Sequence, residues 1–447
     1  MKKVINMPRY SVYKDSGVDW LGYIPEHWKI LRFNFVFCFS KGLNITKENL
    51  QDNGIPCVNY GEIHSKYGFE IDQIKHQLKC VSDEYLKANK KSLLSYGDFV
   101  FADTSEDIEG AGNFSYLNNA KDTVFAGYHT VITRPIVDVN IRFLAYMLDS
   151  ESYRSQIRNK VKGVKVYSVT KTILKDTNIC LPSDTEQIAI ANFLDKKTIQ
   201  IDQAISIKQK QIELLKERQQ IIIQQAVTKG LNPNVQMKDS GIEWIGMIPE
   251  HWKISKLKYL LDEINIRTAT GSEELLSLSK YQGVIPKSSL AERAGYAESL
   301  VGYKIVKKGC LVINKMQAVN GLLAVSNFNG ITSPDYSVYK EKNSNIININ
   351  FLCHLLLCPE FLAEFKKRVT GVMDGFIRLY TADLYSISIF FPEKEEQSTI
   401  VDYIEQKMKK YNNLIDIETQ QIEKLKEYKT TLIDSAVTGK IKITPEE

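Results

Sequence analysis

The chain lacks any stretch of about 18 uncharged apolar residues, which is the minimum for a helix that crosses a membrane, so no membrane span is predicted. The first ten residues, MKKVINMPRY, are basic, but no apolar segment follows them. A secretory signal needs such a segment, so none is predicted. These two absences argue against membrane and secreted classes of protein.

Cysteines are few, and their spacing does not suggest a disulfide framework. The seven cysteines are odd in number and scattered, as in a protein of the reducing cytoplasm whose thiols are small core residues. Cys353 and Cys358 flank His354, but they lie in the apolar stretch FLCHLLLC, whereas zinc needs paired clusters at defined spacing. We therefore expect a cytoplasmic protein without a metal site.

Motifs for nucleotide chemistry are also missing. No G-x-x-x-x-G-K-[ST] phosphate loop occurs, because Gly439-Lys440 is followed by Ile441. Gly110 and Gly112 lack the third glycine of a dinucleotide-binding turn. No phosphate-binding loop of either type is predicted.

One short pattern resembles a nuclease site. Pro334-Asp335 and 364–366 (EFK) match P-D…E-x-K, in which carboxylates bind a metal ion that assists attack of water on phosphate. The glutamate of this match falls in a predicted helix, and the equivalent positions of the first half, about Tyr128 and Gln156, carry no carboxylate. We therefore predict no nuclease site.

What the chain does contain is an internal repeat. Residues 14–30 (KDSGVDWLGYIPEHWKI) and 238–254 (KDSGIEWIGMIPEHWKI) share 13 of 17 residues at an offset of 224. This period is far longer than the roughly 20–50 residues of a solenoid unit. It indicates that half a protein was duplicated and that one kind of surface is presented twice.

A second repeat predicts two long helices, at 184–230 and 393–440. Each follows a proline, has acidic residues in its first turn and ends near a glycine. Apolar residues recur at heptad spacing, interrupted in the first helix by Lys208 and Gln219. We predict that the helices pair as an antiparallel coiled coil with pseudo-two-fold symmetry. The alternative, that each helix packs only on its own globular block, leaves too much of the stripe exposed.

The two remaining blocks predict a mixed α/β (α+β) fold. Their strand-helix-loop order is the same, although 31–125 and 255–330 share little sequence, so one frame carries two inserts. The predicted strands are Asp98–Ala102, Tyr128–Thr133, Cys310–Asn314 and Tyr336–Tyr339, and the predicted helices are Ile141–Asn159 and Ile349–Val369. The expected organisation is a domain at 1–183, a helix at 184–230, a domain at 231–392, a helix at 393–440 and a tail at 441–447.

Charge is unevenly placed along the chain. The net charge is +5, and the positive excess lies in the two blocks, with +4 in residues 1–183 and +3 in residues 230–392. A mild positive excess permits contact with nucleic acid without demonstrating it.

This pattern resembles the specificity subunit of a type I restriction-modification system over nearly the whole chain. The duplicated motif D-S-G-x-x-W-x-G-x-I-P-x-H-W stands at Asp15–Trp28 and Asp239–Trp252. The helix openings L/F-P-x-x-x-E-Q stand at Leu181–Gln187 and Phe391–Gln397. The stretches FVFADTSED at 99–107 and GITSPDYSVY at 330–339 are also typical of that family.

The resemblance implies a non-catalytic DNA-binding subunit of a type I restriction enzyme. In that family two target-recognition domains each read one half of a split site, here an asymmetric one, and the helices act as a spacer. The implied partners are double-stranded DNA, two methyltransferase (modification) subunits and motor-nuclease (restriction) subunits, with no membrane. S-adenosylmethionine, ATP and Mg are expected on those partner subunits, and no cofactor or metal is expected in this chain. The chain also lacks the Asp/Asn-Pro-Pro-aromatic loop of adenine methyltransferases.

Candidate DNA contacts are basic, amide or aromatic residues in loops of the two blocks, since base edges are read by amide and cationic side chains and phosphates attract cations. The loops at 160–167 and 371–380 are favoured because they occupy matching places. In the first block the candidates are Lys41, Asn44, Asn59, Tyr60, Lys66, Tyr67, Lys90, Lys91, Lys162, Lys165 and Tyr167. In the second block they are Arg267, Lys280, Tyr281, Gln282, Lys287, Lys315, Gln317, Asn320, Arg378 and Tyr380.

All four tryptophans, Trp20, Trp28, Trp244 and Trp252, lie in the 17-residue repeat. Two sites that read different DNA would not need identical contact residues. We therefore predict that the tryptophans, and the histidines of the two I-P-E-H-W turns, anchor the chain to the domain core and to the helix ends.

Two other functions remain as alternatives. A fused restriction-methylation enzyme would carry its own active site, which the missing motifs disfavour. A coiled-coil adaptor would bind proteins through its globular ends and would not need DNA.

Overall fold

The structure is a computed structural model that describes residues 7–18, 20–119, 123–163, 165–280, 282–289, 299–371 and 377–444. The chain forms two compact units. Unit 1 comprises Met1–Gln209 and Gln420–Glu447, and unit 2 comprises Lys210–Thr419. The division between the units therefore falls inside each long helix, whereas the sequence suggested divisions at the helix ends.

Unit 1 is built from short strands and six short helices that precede the first long helix. Its strands are β1 (Tyr13–Asp15), β2 (Tyr23–Pro25), β3 (Lys29–Arg32), β4 (Phe37–Lys41), β5 (Ile55–Val58), β6 (Glu70–Asp72), β7 (Lys79–Val81), β8 (Leu93–Leu94), β9 (Phe99–Ala102), β10 (Thr104–Ser105), β11 (Phe114–Asn119), β12 (Val124–Ala126), β13 (Thr130–Pro135), β14 (Tyr167–Ser168) and β15 (Asn178–Leu181). Its helices are α1 (Phe33–Val36), α2 (Tyr60–Ser65), α3 (Tyr85–Ala88), α4 (Ile141–Asp149), α5 (Glu151–Arg158) and α6 (Lys171–Lys175), followed by α7 (Asp184–Lys229). Single 3-10 turns lie at Lys47–Asn49 and Lys90–Ser92.

The main sheet of unit 1 has five strands in the order β4-β13-β9-β11-β6, and a second sheet has the order β7-β5-β12-β8. Strand β9 is buried along its whole length, as its composition FVFA requires. The largest apolar cluster joins this sheet, through Phe99 and Phe101, to Phe143 of α4 and to the long helices, through Leu194 and Leu432. The sheet and the helices of unit 1 therefore share one core.

Unit 2 repeats this plan, with fewer strands among its described residues. Its strands are β16 (Met237–Asp239), β17 (Met247–Pro249), β18 (Lys253–Lys256), β19 (Leu261–Glu263), β20 (Leu276–Ser279), β21 (Gly283–Pro286), β22 (Lys304–Val306), β23 (Leu311–Asn314), β24 (Leu323–Val325), β25 (Gly330–Thr332), β26 (Tyr336–Glu341) and β27 (Ser388–Phe391). Its helices are α8 (Ile349–Leu356), α9 (Pro359–Arg368) and α10 (Thr381–Ser386), followed by α11 (Lys394–Val437). Single 3-10 turns lie at Leu257–Tyr259, Lys287–Ser289 and Ala318–Asn320.

The main sheet of unit 2 has the order β19-β26-β23-β24, which matches β4-β13-β9-β11 of unit 1. The remaining strands of unit 2 form two-stranded sheets: β16-β17, β18-β27, β20-β21 and β22-β25. The common frame with different inserts, which the sequence predicted, is confirmed in this shared strand order. The predicted mixed α/β fold is confirmed as well.

The two medium helices predicted at Ile141–Asn159 and Ile349–Val369 are each broken in two, so those predictions were wrong as single helices. Ser150 is extended and its side chain accepts a hydrogen bond from Tyr153 N, which starts a new helix at that point. In unit 2, Pro359 is the first residue of α9, where its missing N–H costs nothing. The four predicted strands agree with β9, β13, β23 and β26 to within two residues.

Within unit 1, the first half of α7 lies antiparallel to the second half of α11. Lys429 Nζ donates to both carboxylate oxygens of Asp202 at 2.7 Å. Lys208 donates to the side-chain oxygen of Gln421. Because one partner number rises as the other falls, the two helix segments run in opposite directions.

Within unit 2, the second half of α7 pairs in the same way with the first half of α11, and Gln219 Nε2 donates to Asn412 Oδ1 at 2.8 Å. The polar residues that interrupt the apolar seam, Lys208 and Gln219, therefore each meet a polar partner on the other helix. A polar pair in such a seam specifies register at some cost in stability. The predicted antiparallel pairing is confirmed.

The repeated tryptophan motif of unit 1 is attached to the first turn of α7. Trp28 is fully buried, and its indole Nε1 donates to Glu186 Oε1 at 3.4 Å. His27 Nε2 lies 2.9 Å from the other oxygen of Glu186. The neighbouring Gln187 accepts from Asn140 N at 2.9 Å, which ties α7 to the start of α4.

Unit 2 repeats these contacts at the first turn of α11. Trp252 is buried, and its Nε1 donates to Glu396 Oε1 at 3.3 Å, while His251 Nε2 lies 2.7 Å from Glu396 Oε2. Gln397 accepts from Asn348 N at 2.7 Å. The E-Q dipeptide and the I-P-E-H-W turn are thus two halves of one joint, and the prediction that Trp28 and Trp252 are structural anchors is confirmed by their burial.

No helix within the described ranges is long and apolar enough to cross a membrane.

The Glu186 carboxylate is a test of the joint. Burial raises its pKa, but hydrogen bonds from Ser183, His27 and Trp28 outweigh burial and hold the pKa below its ordinary value. A carboxylate whose pKa is lower in the folded state adds stability above its unfolded pKa of about 4.3, and that stability is lost as the pH falls through the folded pKa.

We therefore predict that Glu186→Gln lowers the free energy of unfolding by about 1 kcal/mol at neutral pH, after allowance for solvent screening. The difference from the wild type should shrink below about pH 4. Urea denaturation at neutral and acidic pH measures both effects. Glu217→Gln, at an exposed position of α7, is the matched control. Equal decreases in the free energy of unfolding for the two variants would contradict a stabilising role of Glu186 in the joint.

Candidate nucleic-acid interface

In unit 1, the ends of two neighbouring strands bring an acid and a histidine together. Strands β9 and β13 pair Ala102 with Thr130, so the next residues, Asp103 and His129, face each other at the edge of the sheet. Their side chains approach to 3.1 Å between Asp103 Oδ1 and His129 Nδ1. Strand β14 brings Ser168 alongside. We call Asp103, His129 and Ser168 the strand-end notch of unit 1.

The backbone at His129 is unusual. Its φ is 53°, and it is the one non-glycine residue with positive φ in the described ranges. Such a conformation costs about 1 kcal/mol or more and persists where the surroundings impose it, often at functional sites. Its ring lies 5.3 Å from the ring of Tyr60, and the Tyr128 ring lies 5.4 Å from Tyr60.

In unit 2, the same strand ends carry different residues. Strands β23 and β26 pair Asn314 with Tyr336, so Lys315 and Asp335 face each other. Arg378 Nη2 lies 3.6 Å from Asp335 Oδ1. We call Lys315, Asp335 and Arg378 the strand-end notch of unit 2.

The favoured loops at 160–167 and 371–380 return to these two notches. Val169 N donates to Asp103 O at 2.8 Å, and Leu379 N donates to Lys315 O at 3.0 Å. Val169 lies two residues after the first loop and Leu379 lies near the end of the second, and each bonds the residue that follows the equivalent strand, β9 or β23. The matching places that the sequence indicated for the two loops are therefore matching places in the fold, although 164 and 372–376 lie outside the described residues.

A buried lysine lies behind the notch of unit 2. The side chain of Lys304 is 3% exposed and its Nζ lies 3.3 Å from Glu263 Oε1. Burial raises the pKa of Glu263, but the Thr381 hydroxyl, which donates at 2.7 Å, and Lys304 hold it below its ordinary value. Burial, and then the charge of Lys304, lower the pKa of Lys315. The region therefore favours a negatively charged or electron-rich group.

The surroundings of the unit 1 notch have the opposite character. A cavity of about 690 Å³ opens beside His129 and Tyr60, and its walls include three carboxylates, Glu106, Asp107 and Glu109, and one cation, Arg154. Carboxylates repel phosphate oxygens and accept hydrogen bonds from amino groups. The two notches therefore differ in chemistry although they occupy the same place in the fold.

Most of the predicted DNA-contact residues carry accessible side chains. Five are half-buried: Tyr60, Tyr167, Lys287, Lys315 and Arg378. Thirteen are exposed: Lys41, Asn44, Lys66, Lys90, Lys91, Lys162, Lys165, Arg267, Lys280, Gln282, Gln317, Asn320 and Tyr380. Tyr281 lies outside the described residues.

Two of the predicted contact residues are buried. Asn59 is 2% exposed and Tyr67 is 4% exposed. Asn59 Nδ2 donates to Glu62 Oε2 at 3.2 Å at the start of α2, and Tyr67 belongs to an apolar cluster formed by strands of both sheets of unit 1. Their burial disfavours direct DNA contact by either side chain.

The structure brings some candidates together and separates others. Lys41 and Lys91 are neighbours, because Ser92 Oγ donates to Lys41 O at 2.8 Å and Ser40 Oγ donates to Lys91 O at 2.6 Å. Asn320 Nδ2 donates to Gln317 Oε1 at 2.7 Å, and Lys315 and Arg378 share the unit 2 notch. By contrast, Lys66 and Arg267 donate to backbone oxygens of Gln77 and Gly302.

Several notch residues were missed from the sequence. Asp103 and Asp335 stood inside the quoted stretches FVFADTSED and GITSPDYSVY, each directly beside a predicted strand. That position was a usable signal, because residues at adjacent strand ends meet at one edge of a sheet. Lys304 and Glu263 gave no such signal, since their partnership depends on which distant strands lie together.

The buried Lys304 yields a stability prediction. Lys304→Met should leave Glu263 without its cation and lower the free energy of unfolding by about 2–3 kcal/mol, less than for a fully buried pair because Glu263 is partly exposed. Lys280→Met, at an exposed position of the same unit, should change it by less than about 0.5 kcal/mol. Urea denaturation distinguishes the two. An unchanged midpoint for Lys304→Met would show that the pair is dispensable.

Comparison with known proteins bears on the whole chain. The family model for the type I restriction modification DNA specificity domain matches residues 25–217 and 249–427. The chain is 24% identical over 442 residues to the type I restriction enzyme MjaVIII specificity subunit of Methanocaldococcus jannaschii, covering 94% of each chain. It is 23% identical over 446 residues to the putative type I restriction enzyme MjaX specificity subunit of that organism, covering 95% of this chain and 96% of the other.

Solved structures share the fold. One, described as the structural basis of complex assembly and conformational transition of the type I R-M system, has a TM-score of 0.66 at 16% identity, covering 93% of this chain and 98% of the other. The HsdS subunit from Thermoanaerobacter tengcongensis has a TM-score of 0.50 at 16% identity, covering 94% and 98%.

Proposed function

Because the chain belongs to the type I restriction-modification DNA specificity family and both copies of the domain are matched, we propose that its two units each read one half of a bipartite, asymmetric DNA site. It is a specificity subunit of a type I restriction-modification system. The pair of strand-end notches supports the proposal that the two units read different half-sites. The notches occupy equivalent positions in the two units but contain different side chains. Identical notches would suit a symmetric site.

The long helices supply a spacer in this proposal. Helix α7 has 46 residues and α11 has 44, so each extends about 65–70 Å at roughly 1.5 Å per residue. Half-sites on one face of DNA are separated by about one helical turn, roughly 34 Å, or a multiple of it. A stiff antiparallel pair is suited to hold such a distance constant.

We propose that two methyltransferase subunits dock on the long helices and supply S-adenosylmethionine chemistry, while ATP and Mg belong to a motor-nuclease partner. Exposed apolar residues on α7 support docking: Ile199, Ile207 and Leu214 are each more than half exposed. Such residues on a soluble helix mark a protein contact when they recur along it. We propose a cytoplasmic location for the assembly, which the seven unpaired cysteines support.

DNA binding should respond steeply to salt. Phosphate-dominated binding weakens with each counterion released, and several phosphate contacts give a loss of about 10³-fold or more between 50 and 200 mM salt. Lys41→Gln with Lys91→Gln should reduce the slope of log K against log salt by about 1–2. Fluorescence anisotropy of the assembled complex on duplex DNA measures the slope. Lys424→Gln, at an exposed position of α11, is the control, and a flat salt response would contradict DNA contact.

The non-catalytic role is tested by methyl transfer. The purified chain alone should transfer no methyl group to duplex DNA, whereas the complex with its methyltransferase should modify a bipartite motif. Methylome sequencing of a host with and without the gene reports that motif. Transfer by the chain alone would favour a fused enzyme, and normal methylation without the gene would favour an adaptor.

A further inference from the structure

The two strand-end notches are equivalent by strand register. Asp103 and Lys315 each follow the central strand of the shared sheet, β9 or β23. His129 and Asp335 each precede its neighbour, β13 or β26. The equivalence does not depend on sequence similarity, because the residues at these positions differ in both pairs.

The unit 2 notch contains two cationic side chains whose donors make no hydrogen bond among the described residues. Lys315 Nζ makes no hydrogen bond within the described part of the chain, and the Arg378 guanidinium is 3.6 Å from its nearest carboxylate oxygen, beyond ordinary hydrogen-bond distance. Lys304 behind them is already engaged with Glu263. Among the described residues, these two half-buried cations therefore present side-chain donors that no hydrogen bond occupies, and Arg378 forms an ion pair with Asp335.

The unit 1 notch has an acceptor instead. The Asp103 carboxylate uses one oxygen toward His129, and its side chain is 31% exposed. The cavity beside it is lined by three further carboxylates and by one cation, Arg154, so carboxylates predominate there and disfavour a phosphate. An amino group is the complementary chemistry.

We propose that the two notches are base-reading positions of opposite hydrogen-bonding character, which rests on the proposed function. Lys315 and Arg378 of unit 2 donate to an acceptor edge, for which guanine N7 and O6 in the major groove is the natural match. Asp103 of unit 1, oriented by His129, accepts from an exposed amino group of cytosine or adenine. Asp103, Lys315 and Arg378 are thus specificity-determining residues, and His129 is a positioning residue.

The test uses the assembled methyltransferase complex on a DNA library randomised across both half-sites, with the modified sequences read out. Lys315→Gln and Arg378→Gln should each relax one base position in one half-site, reducing discrimination roughly 10- to 100-fold there. Asp103→Ala should relax a position in the other half-site only. The gap between the half-sites should stay unchanged in all three variants.

Controls separate a reading role from loss of fold or of phosphate contact. Lys340→Gln, at an exposed position of β26, should leave the motif unchanged. Thermal unfolding of each variant shows whether it folds. A uniform loss of methylation over all sequences would assign Lys315 and Arg378 to phosphate and overturn the proposal. Variants that methylate the same motif as the wild type at the same rate would also overturn the proposal. A wild-type complex that modifies no bipartite motif would instead overturn the proposed function.

Discussion

The architecture depends on one joint, in which a buried indole N–H and a histidine meet the glutamate in the first turn of a long helix. Trp28 and Trp252 fill the domain core, while Glu186 and Glu396 lie at helix N-termini, where a negative charge is favoured. The adjacent glutamine, Gln187 or Gln397, accepts from the backbone N–H at the start of an earlier block helix, α4 or α8. Each long helix therefore leaves its block in a fixed direction, which a flexible linker would not provide.

The sequence was informative where local pattern decides structure. The 17-residue repeat, the two long helices and the strands before Asp103 and around Tyr336 were all readable from spacing and composition. The seam polar residues, Lys208 and Gln219, were visible as interruptions, but their partners on the other helix were not. These partners lie far away in the sequence, so local patterns could not identify them.

The errors have physical causes of the same kind. The predicted helix at Ile141–Asn159 is apolar enough to be continuous, yet the side chain of Ser150 captures the backbone and restarts it. Asn59 and Tyr67 are of residue types common in surface contacts, but both are buried, Tyr67 in a cluster formed by both sheets of unit 1. The notches escaped notice because strand register, which is a tertiary property, brings their residues together. Residue type alone therefore identified candidate DNA contacts, but it could not distinguish exposed candidates from residues that pack in the interior.

The polar pairs in the helix seam also bear on how the chain reaches its native state. Two similar amphipathic helices of this length offer many near-equivalent alignments, displaced from each other by a heptad. A displaced alignment would separate the Lys208 ammonium and the Gln219 amide from the polar partners that they meet in the native alignment. We therefore expect misaligned helix pairs to be short-lived during folding. The two polar side chains would favour the native register even though they contribute less to the stability of the pairing than apolar residues would.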